Sequence, residues 1–331
     1  MFFLLKIDAY LSVVNGQHPR LQPEELDVGL LSTFALWNAH PLDKFYKRQP
    51  QEPLSRVDKR LSQLVRGPDL LATSELLIED VQIGLCSMAS ALWRFTLTRQ
   101  SSEATGTESK VLLAQQLDNW GYQLERISGL CKAQEARIKP VEFPLRAYFG
   151  QETEICPPVL TRVRWLIHET MMLQHAMSSY LYADTHALDR FVRRQTDTST
   201  DLPISNARGE QDAGVLQWAH SLDSRKAVLI SLTVLKARER LSAQNDPRSR
   251  PVEPLADAAL SNSSVVLWAW AAAMEGSCYC RQMPNRTTDN TDIVGGSDLS
   301  NNRPILAADA PLLCVCMVEE WIKRFPATRS S

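Results

Sequence analysis

Apolar side chains recur at helical spacing through nearly every long stretch of this chain. Leu4, Ile7, Leu11 and Val14 fall on one stripe, and Asn15-Gly16 then supplies a left-handed stop. Pro19 and Pro23 prevent the helix from resuming, and Pro23-Glu24-Glu25 leads into a short Leu26-Val28-Leu30-Leu31 run that reads as an ordered loop with one turn. From Glu75 to Arg99 the positions Leu76, Leu77, Val81, Ile83, Leu85, Met88, Leu92 and Phe95 predict one long helix, buried on more than one side, with Gly84 as its internal turn signal. Gln100 to Ser109 is Ser, Thr, Glu and Gly and reads as a flexible connection. A second long helix follows through Val111, Leu112, Leu117, Trp120, Leu124 and Ile127 and ends near Lys139-Pro140.

Pro157-Pro158 opens a third helix, which carries Leu160, Val163, Leu166, Ile167, Met171, Leu173 and Met177 up to Tyr182. Asp184 is placed to cap the next, with Leu188, Phe191 and Val192 on its apolar side. Thr196 to Gln211 is polar and breaks the pattern. Val215 to Leu241 is helical again, with an interruption near Ser221. Gln244 to Pro254 reads as a surface loop around Asn245-Asp246-Pro247, and Leu255 to Arg281 as the most apolar helix. Met283 to Pro304 is rich in Asn, Asp, Thr and Gly and reads as a flexible loop; Pro311 to Phe325 is the last helix, packing on the same domain. No strand-like alternation persists, and no repeat of 20 to 50 residues recurs. The predicted fold is all-α, an irregular multi-helix bundle.

Composition narrows the class. With 331 residues, 44% of them hydrophobic and 22% charged, the chain can bury one large core or two smaller ones. A net charge of -2 and a pI near 6.3 give no positive field to concentrate a polyanion, so sequence-independent DNA binding is not expected. Lys6 and Asp8 interrupt the apolar opening before the core of a signal peptide forms. The apolar run from Val265 to Met274 falls well short of the ~20 residues that cross a bilayer, so no membrane role is expected. Seven cysteines, an odd number without a secretory signal, indicate reduced thiols.

The candidate chemistry is sparse. His168-Glu169-Thr170-Met171-Met172 begins like the zinc-protease helix, but methionine stands where the second histidine belongs. His175 lies about 10.5 Å further along the axis than His168, too far for both to reach one zinc from a straight helix. Cys278-x-Cys280 and Cys314-x-Cys316 lie in predicted helices, where residues two apart diverge, so buried structural thiols are expected rather than a metal site. A nucleophile elbow, a phosphate-binding loop and a dinucleotide-binding turn are all missing from the sequence. Arg190, Arg193 and Arg194 form the densest basic cluster and read as a solvated helix end, favoured by the helix dipole. The tryptophans sit in apolar stripes and read as core. Thus the sequence offers no catalytic, cofactor-binding or metal-ligating residue, and an enzyme is not expected.

One family resemblance runs through these segments. Ile7-Asp8-Ala9-Tyr10-Leu11-Ser12, followed by Gly16, Pro19, Glu24-Glu25-Leu26-Asp27-Val28 and Leu36-Trp37-Asn38-Ala39, resembles the second half of the fungal-specific transcription factor domain, the middle homology region. Leu173-Gln174-His175-Ala176, then Trp218 with Ser224-Arg225-Lys226-Ala227, then Ser263-Ser264-Val265-Val266-Leu267-Trp268-Ala269-Trp270, resemble later helices of that domain in the same order. The resemblance is closest to fungal regulators with N-terminal cysteine-and-histidine zinc fingers.

This resemblance implies a regulatory domain over residues 1–281, truncated on its N-terminal side, with a flexible loop at 282–305 and a C-terminal helix and tail at 306–331. It implies the nucleus as location and regulation of RNA polymerase II transcription as role. Promoter DNA would be bound only through a missing N-terminal module, where zinc is expected, and no cofactor is expected in this chain. The implied partners are other transcription-regulatory proteins, with homodimerisation allowed. A truncated gene or a degenerate copy are the two expected origins, and a stand-alone helical interaction module is the alternative. Loss of the preceding helices would leave Leu4, Ile7 and Leu11 exposed.

Overall fold

The computed structural model describes residues 2–22, 25, 29–33, 36, 42–51, 56, 59–65, 76–99, 103–135, 146–149, 157–196, 206–244 and 254–274. The helices are α1 (Phe2–Asn15), α2 (Leu42–Arg48), α3 (Leu61–Val65), α4 (Ile78–Ser87), α5 (Ala89–Thr98), α6 (Glu103–Glu135), α7 (Arg146–Phe149), α8 (Pro157–Tyr182), α9 (Thr185–Thr196), α10 (Asn206–Ala219), α11 (Leu222–Gln244) and α12 (Pro254–Ala273). Among the described residues there is no strand beyond an isolated bridge between Gly29 and Arg60. The fold is all-α, as the periodicity predicts.

The axis of the bundle is α8. Its two leading prolines start the helix where their missing N–H groups cost nothing, and no later proline or glycine interrupts it. Val163, Met172, Leu173, Ala176, Met177 and Leu181 are buried along it, and α4, α5, α6, α11 and α12 pack around it. Among the described residues the buried apolar side chains, Leu36 apart, join into one core cluster. Among the described residues no helix is long and apolar enough to cross a membrane.

Several boundaries follow the predicted signals. Gly16 has φ +62°, the left-handed stop expected after α1. Asp184 caps α9 by accepting the Ala187 N–H at 2.9 Å. The break near Ser221 separates α10 from α11, and the Ser221 hydroxyl accepts the Ser224 N–H at 3.2 Å.

Other boundaries differ. The single helix predicted over 75–99 is two, because at Met88 the backbone tightens: its N–H bonds the Leu85 carbonyl at 2.9 Å, and Ser87 Oγ donates to the Gly84 carbonyl at 2.6 Å. The break lies four residues after Gly84, which stays helical. Helix α6 begins at Glu103, inside the stretch predicted as a flexible connection, and α10 begins at Asn206, inside the predicted polar break. Both extensions carry few apolar residues, so hydrophobic periodicity is blind to them. The loop at 282–305, the helix from Pro311 to Phe325 and the end of the Leu255–Arg281 helix beyond Met274 lie outside the described residues.

Helix α1 has two apolar faces. Leu5, Ala9 and Val13 are buried where α1 packs on α4, α5 and α12. The stripe that periodicity singles out, Leu4, Ile7, Leu11 and Val14, stands 38–56% exposed.

Candidate functional site

Residues of the family-like opening form a hydrogen-bonded helix–turn–loop unit. Asp8 Oδ2 accepts the backbone N–H groups of Arg20 at 2.7 Å and Leu21 at 2.8 Å, folding the segment after Gly16 back along α1. Ser12 Oγ donates to the Gln17 carbonyl at 2.6 Å inside the same turn. Tyr10 donates its hydroxyl to Glu169 on α8 and accepts from Gln82 Nε2 on α4 at 2.9 Å; Lys6 pairs with the same Glu169 carboxylate. Glu169 is therefore a structural anchor for α1. The later family-like segments are joints as well. Trp218 Nε1 donates to the Tyr182 carbonyl at 2.9 Å, Ser224 Oγ donates to the Ala219 carbonyl at 2.8 Å, and Trp270 is buried.

His168 and His175 do not come together with a third ligand. No group of three or more His, Cys, Asp or Glu side chains able to hold a metal occurs among the described residues. His168 is 6% exposed, and each imidazole has an Nε2 that is sealed from solvent without a hydrogen-bond partner. Burial, reinforced by Arg238 and opposed by Glu169, pushes His168 down to about 4; burial and the neighbouring His168 push His175 down to about 4.

Both histidines are thus neutral in the folded protein at pH 7. The unfolded chain takes up these protons near pH 6.5 and the folded chain only near pH 4, so their contribution is complete above pH 6.5 and is lost as pH falls through that window. Stability is expected to drop by up to about 2 kcal/mol per histidine between pH 6.5 and 5. Urea unfolding at the two pH values measures this, and the H168Q/H175Q variant should flatten the dependence; an unchanged slope in that variant would assign the effect to carboxylates.

A cavity of about 310 Å³ opens where α1, the C-terminal half of α5 and the α8–α9 junction meet. One wall is apolar, made by Val13, Leu92, Trp93 and Leu97. Trp93 is braced by the ring of His18, edge to face at 4.3 Å. The polar side carries Arg99, Tyr180, Asp184 and Arg190. Tyr180 is fully engaged: it donates to the Val13 carbonyl at 2.6 Å and accepts from Asn262 Nδ2 at 3.2 Å, and burial raises its pKa. Asp184 is occupied with the helix cap.

Arg99 is the unbalanced group. It ends α5 and lies over the Phe95 ring at 6.0 Å. Its Nη1 is sealed from solvent with no hydrogen-bond partner. Burial lowers its pKa, while the Asp223 and Asp184 carboxylates oppose this through space.

A second cavity, about 160 Å³, lies between α6, α8 and α11 and is lined by Asp118, His175, Tyr182 and Lys226 among others. Burial raises the Asp118 pKa against the pull of Lys226, whose Nζ stands 4.9 Å over the Tyr182 ring.

The basic cluster Arg190, Arg193 and Arg194 is dispersed. Arg193 pairs with Asp189 one turn back, Arg194 with Asp212 of α10, and Arg190 faces the first cavity. Trp120 and Trp270 are core as predicted, whereas Trp93, Trp165, Trp218 and Trp268 are half-buried and Trp93 lines a cavity. Trp37 and Trp321 lie outside the described residues. Cys86 and Cys131 are buried and in no disulfide, and burial pushes Cys86 up to about 12, which suits packing rather than reactivity. Cys156, Cys278, Cys280, Cys314 and Cys316 lie outside the described residues. The chain matches no family model, no curated protein and no solved structure with significance.

Proposed function

We propose that this chain is the regulatory portion of a fungal zinc-dependent transcription factor, acting in the nucleus on RNA polymerase II transcription without catalysing a reaction. DNA contact belongs to a zinc-bearing module whose cysteine and histidine spacings do not occur in this sequence. The observation that carries the reading is that residues of the family-like segments serve as anchors of one helical body: Tyr10 donates to Glu169 of α8, and Trp218 donates to the Tyr182 carbonyl at the end of α8. Residues of this kind serve architecture, and a regulatory domain works by presenting an architecture to other proteins.

The test is to fuse the chain to a heterologous zinc-finger module and an activation segment over an RNA polymerase II reporter. Reporter output is expected to change at least about threefold relative to the fusion lacking the chain, and the F3E/L11E variant should alter that effect while remaining folded. No change in output would overturn the reading.

The alternative, a stand-alone interaction module, is favoured by one observation. Leu4, Ile7, Leu11 and Val14 repeat at the three-four spacing of a coiled-coil seam and stand exposed, a surface complementary to a second copy of itself. A fusion silent in the reporter yet dimeric in sedimentation, with the dimer lost in L11E, would select it.

A further inference from the structure

The cavity between α1, α5 and α9 has a chemical asymmetry that points to a ligand independent of the transcriptional reading. We propose that it binds a small organic monocarboxylate, with the carboxylate against the Arg99 and Arg190 guanidiniums and the apolar body against Leu92, Trp93 and Leu97.

Charge is the first support. The wall carries two guanidiniums against the single carboxylate of Asp184, which already accepts the Ala187 N–H, while Asp223, which acts on Arg99 through space from outside the lining, is itself paired with Lys110. Guanidiniums therefore outnumber carboxylates in the lining, and arginine cannot shed its proton to change that. The bland reading is that Arg99 merely complements the dipole at the end of α5. That reading leaves Nη1 unexplained: a guanidinium N–H sealed from water without an acceptor carries a desolvation cost that a dipole some distance away does not cancel. An anion seated on the accessible side of the fork leaves Nη1 sealed but lowers the cost of holding the guanidinium charge there, through charge-assisted hydrogen bonds to the remaining N–H groups.

Size and polarity supply the rest. A volume near 310 Å³ holds about ten waters at ~30 Å³ each, or one aryl or medium-chain acid. Bare phosphate would leave the Leu92–Trp93–Leu97 wall in water. Tyr180, Ser12 and Thr96 already use their hydroxyls on backbone carbonyls and Thr185 hydrogen-bonds the Tyr180 hydroxyl, so every hydroxyl of the lining is engaged and none is set aside for a polyhydroxylated ligand. The N-terminal turn of α9, contributing Thr185 and His186 to the wall, adds the positive end of its dipole on the same side.

The experiment is calorimetric titration of the full chain with octanoate, octan-1-ol and inorganic phosphate. Octanoate is expected to bind at least about tenfold more tightly than either of the others. R99Q should cost octanoate about tenfold while leaving octanol unchanged, with helicity and melting followed by circular dichroism. Because R99Q disturbs a partly buried site, the exposed-rim variant R190E provides the independent arm and should weaken octanoate several-fold in a protein that melts like the wild type. Absence of octanoate binding, equal binding of octanoate and octanol, phosphate binding as tight as octanoate, or affinity unchanged in R190E would each overturn the proposal. None of these outcomes bears on the reporter experiment, so the two readings fail separately.

Discussion

Replacing Asp80 with alanine is expected to destabilise the protein by about 3–5 kcal/mol, the largest single-residue loss anticipated outside the packed core. Asp80 is 0% exposed and Arg56 3%, and the two side chains form a bidentate pair at the start of α4. The same carboxylate accepts the Leu77 N–H at 2.8 Å, and the Ile78 N–H is taken by the Tyr148 hydroxyl at 3.1 Å. Arg56 also donates to the Leu31 carbonyl at 2.8 Å, which ties the segment at 29–33 to the bundle. D80A removes the counter-charge of a buried guanidinium and one cap of a buried helix start together.

The magnitude separates this pair from the exposed pair of Arg193 and Asp189, whose loss should cost less than about 1 kcal/mol. Breaking a buried pair is costly because one charge is stranded, whereas replacing both partners is often nearly neutral. The R56M/D80A double variant should therefore be more stable than D80A alone, as read by urea unfolding. A D80A loss below about 1 kcal/mol would mean that the pair stays hydrated.

Helix existence was readable in the sequence wherever apolar stripes and stop signals agreed, as for α8 with its leading prolines, Gly16 after α1, and Asp184 before α9. Periodicity failed where the information lies in polar groups or in partners distant along the chain. The start of α6 at Glu103 carries few apolar residues. The break at Met88 depends on the Ser87 hydroxyl turning back to the Gly84 carbonyl. The exposed stripe of α1 and its buried opposite face are both apolar, and only the positions of α4, α5 and α12 decide which one faces inward. The cavity was hidden for a related reason. Arg99, Tyr180 and Arg190 are scattered over the chain, and the one local signal, a cluster of three arginines, dissolves into separate roles once Asp189 and Asp212 take two of them. The Arg56–Asp80 pair left no motif: its residues are 24 apart and become neighbours only through the packing of α4.

Gly84→Ala tests the glycine at which an added Cβ would come closest to its neighbours among the described residues, and its sign depends on two opposing terms. Gly84 lies inside α4, where alanine is favoured over glycine by about 1 kcal/mol on propensity alone. An added Cβ at this position would meet the Trp120 ring at 2.2 Å from Cζ2 and 2.5 Å from Cε2 and Cη2. Trp120 is 2% exposed in the core face of α6, so a rigid ring, without a flexible chain end to swing aside, must yield. Overpacking of this kind costs typically 1–3 kcal/mol and more where rings and backbone must both shift, which outweighs the propensity gain. A net destabilisation of about 2 kcal/mol is expected, together with a changed near-ultraviolet tryptophan signal. Trp120→Leu in the same chain should recover part of the loss, because the two changes relieve each other across one contact and are not additive. A G84A protein more stable than the wild type would mean that α4 and α6 can part without cost, and the close approach of Gly84 to Trp120 would then not be what sets their spacing.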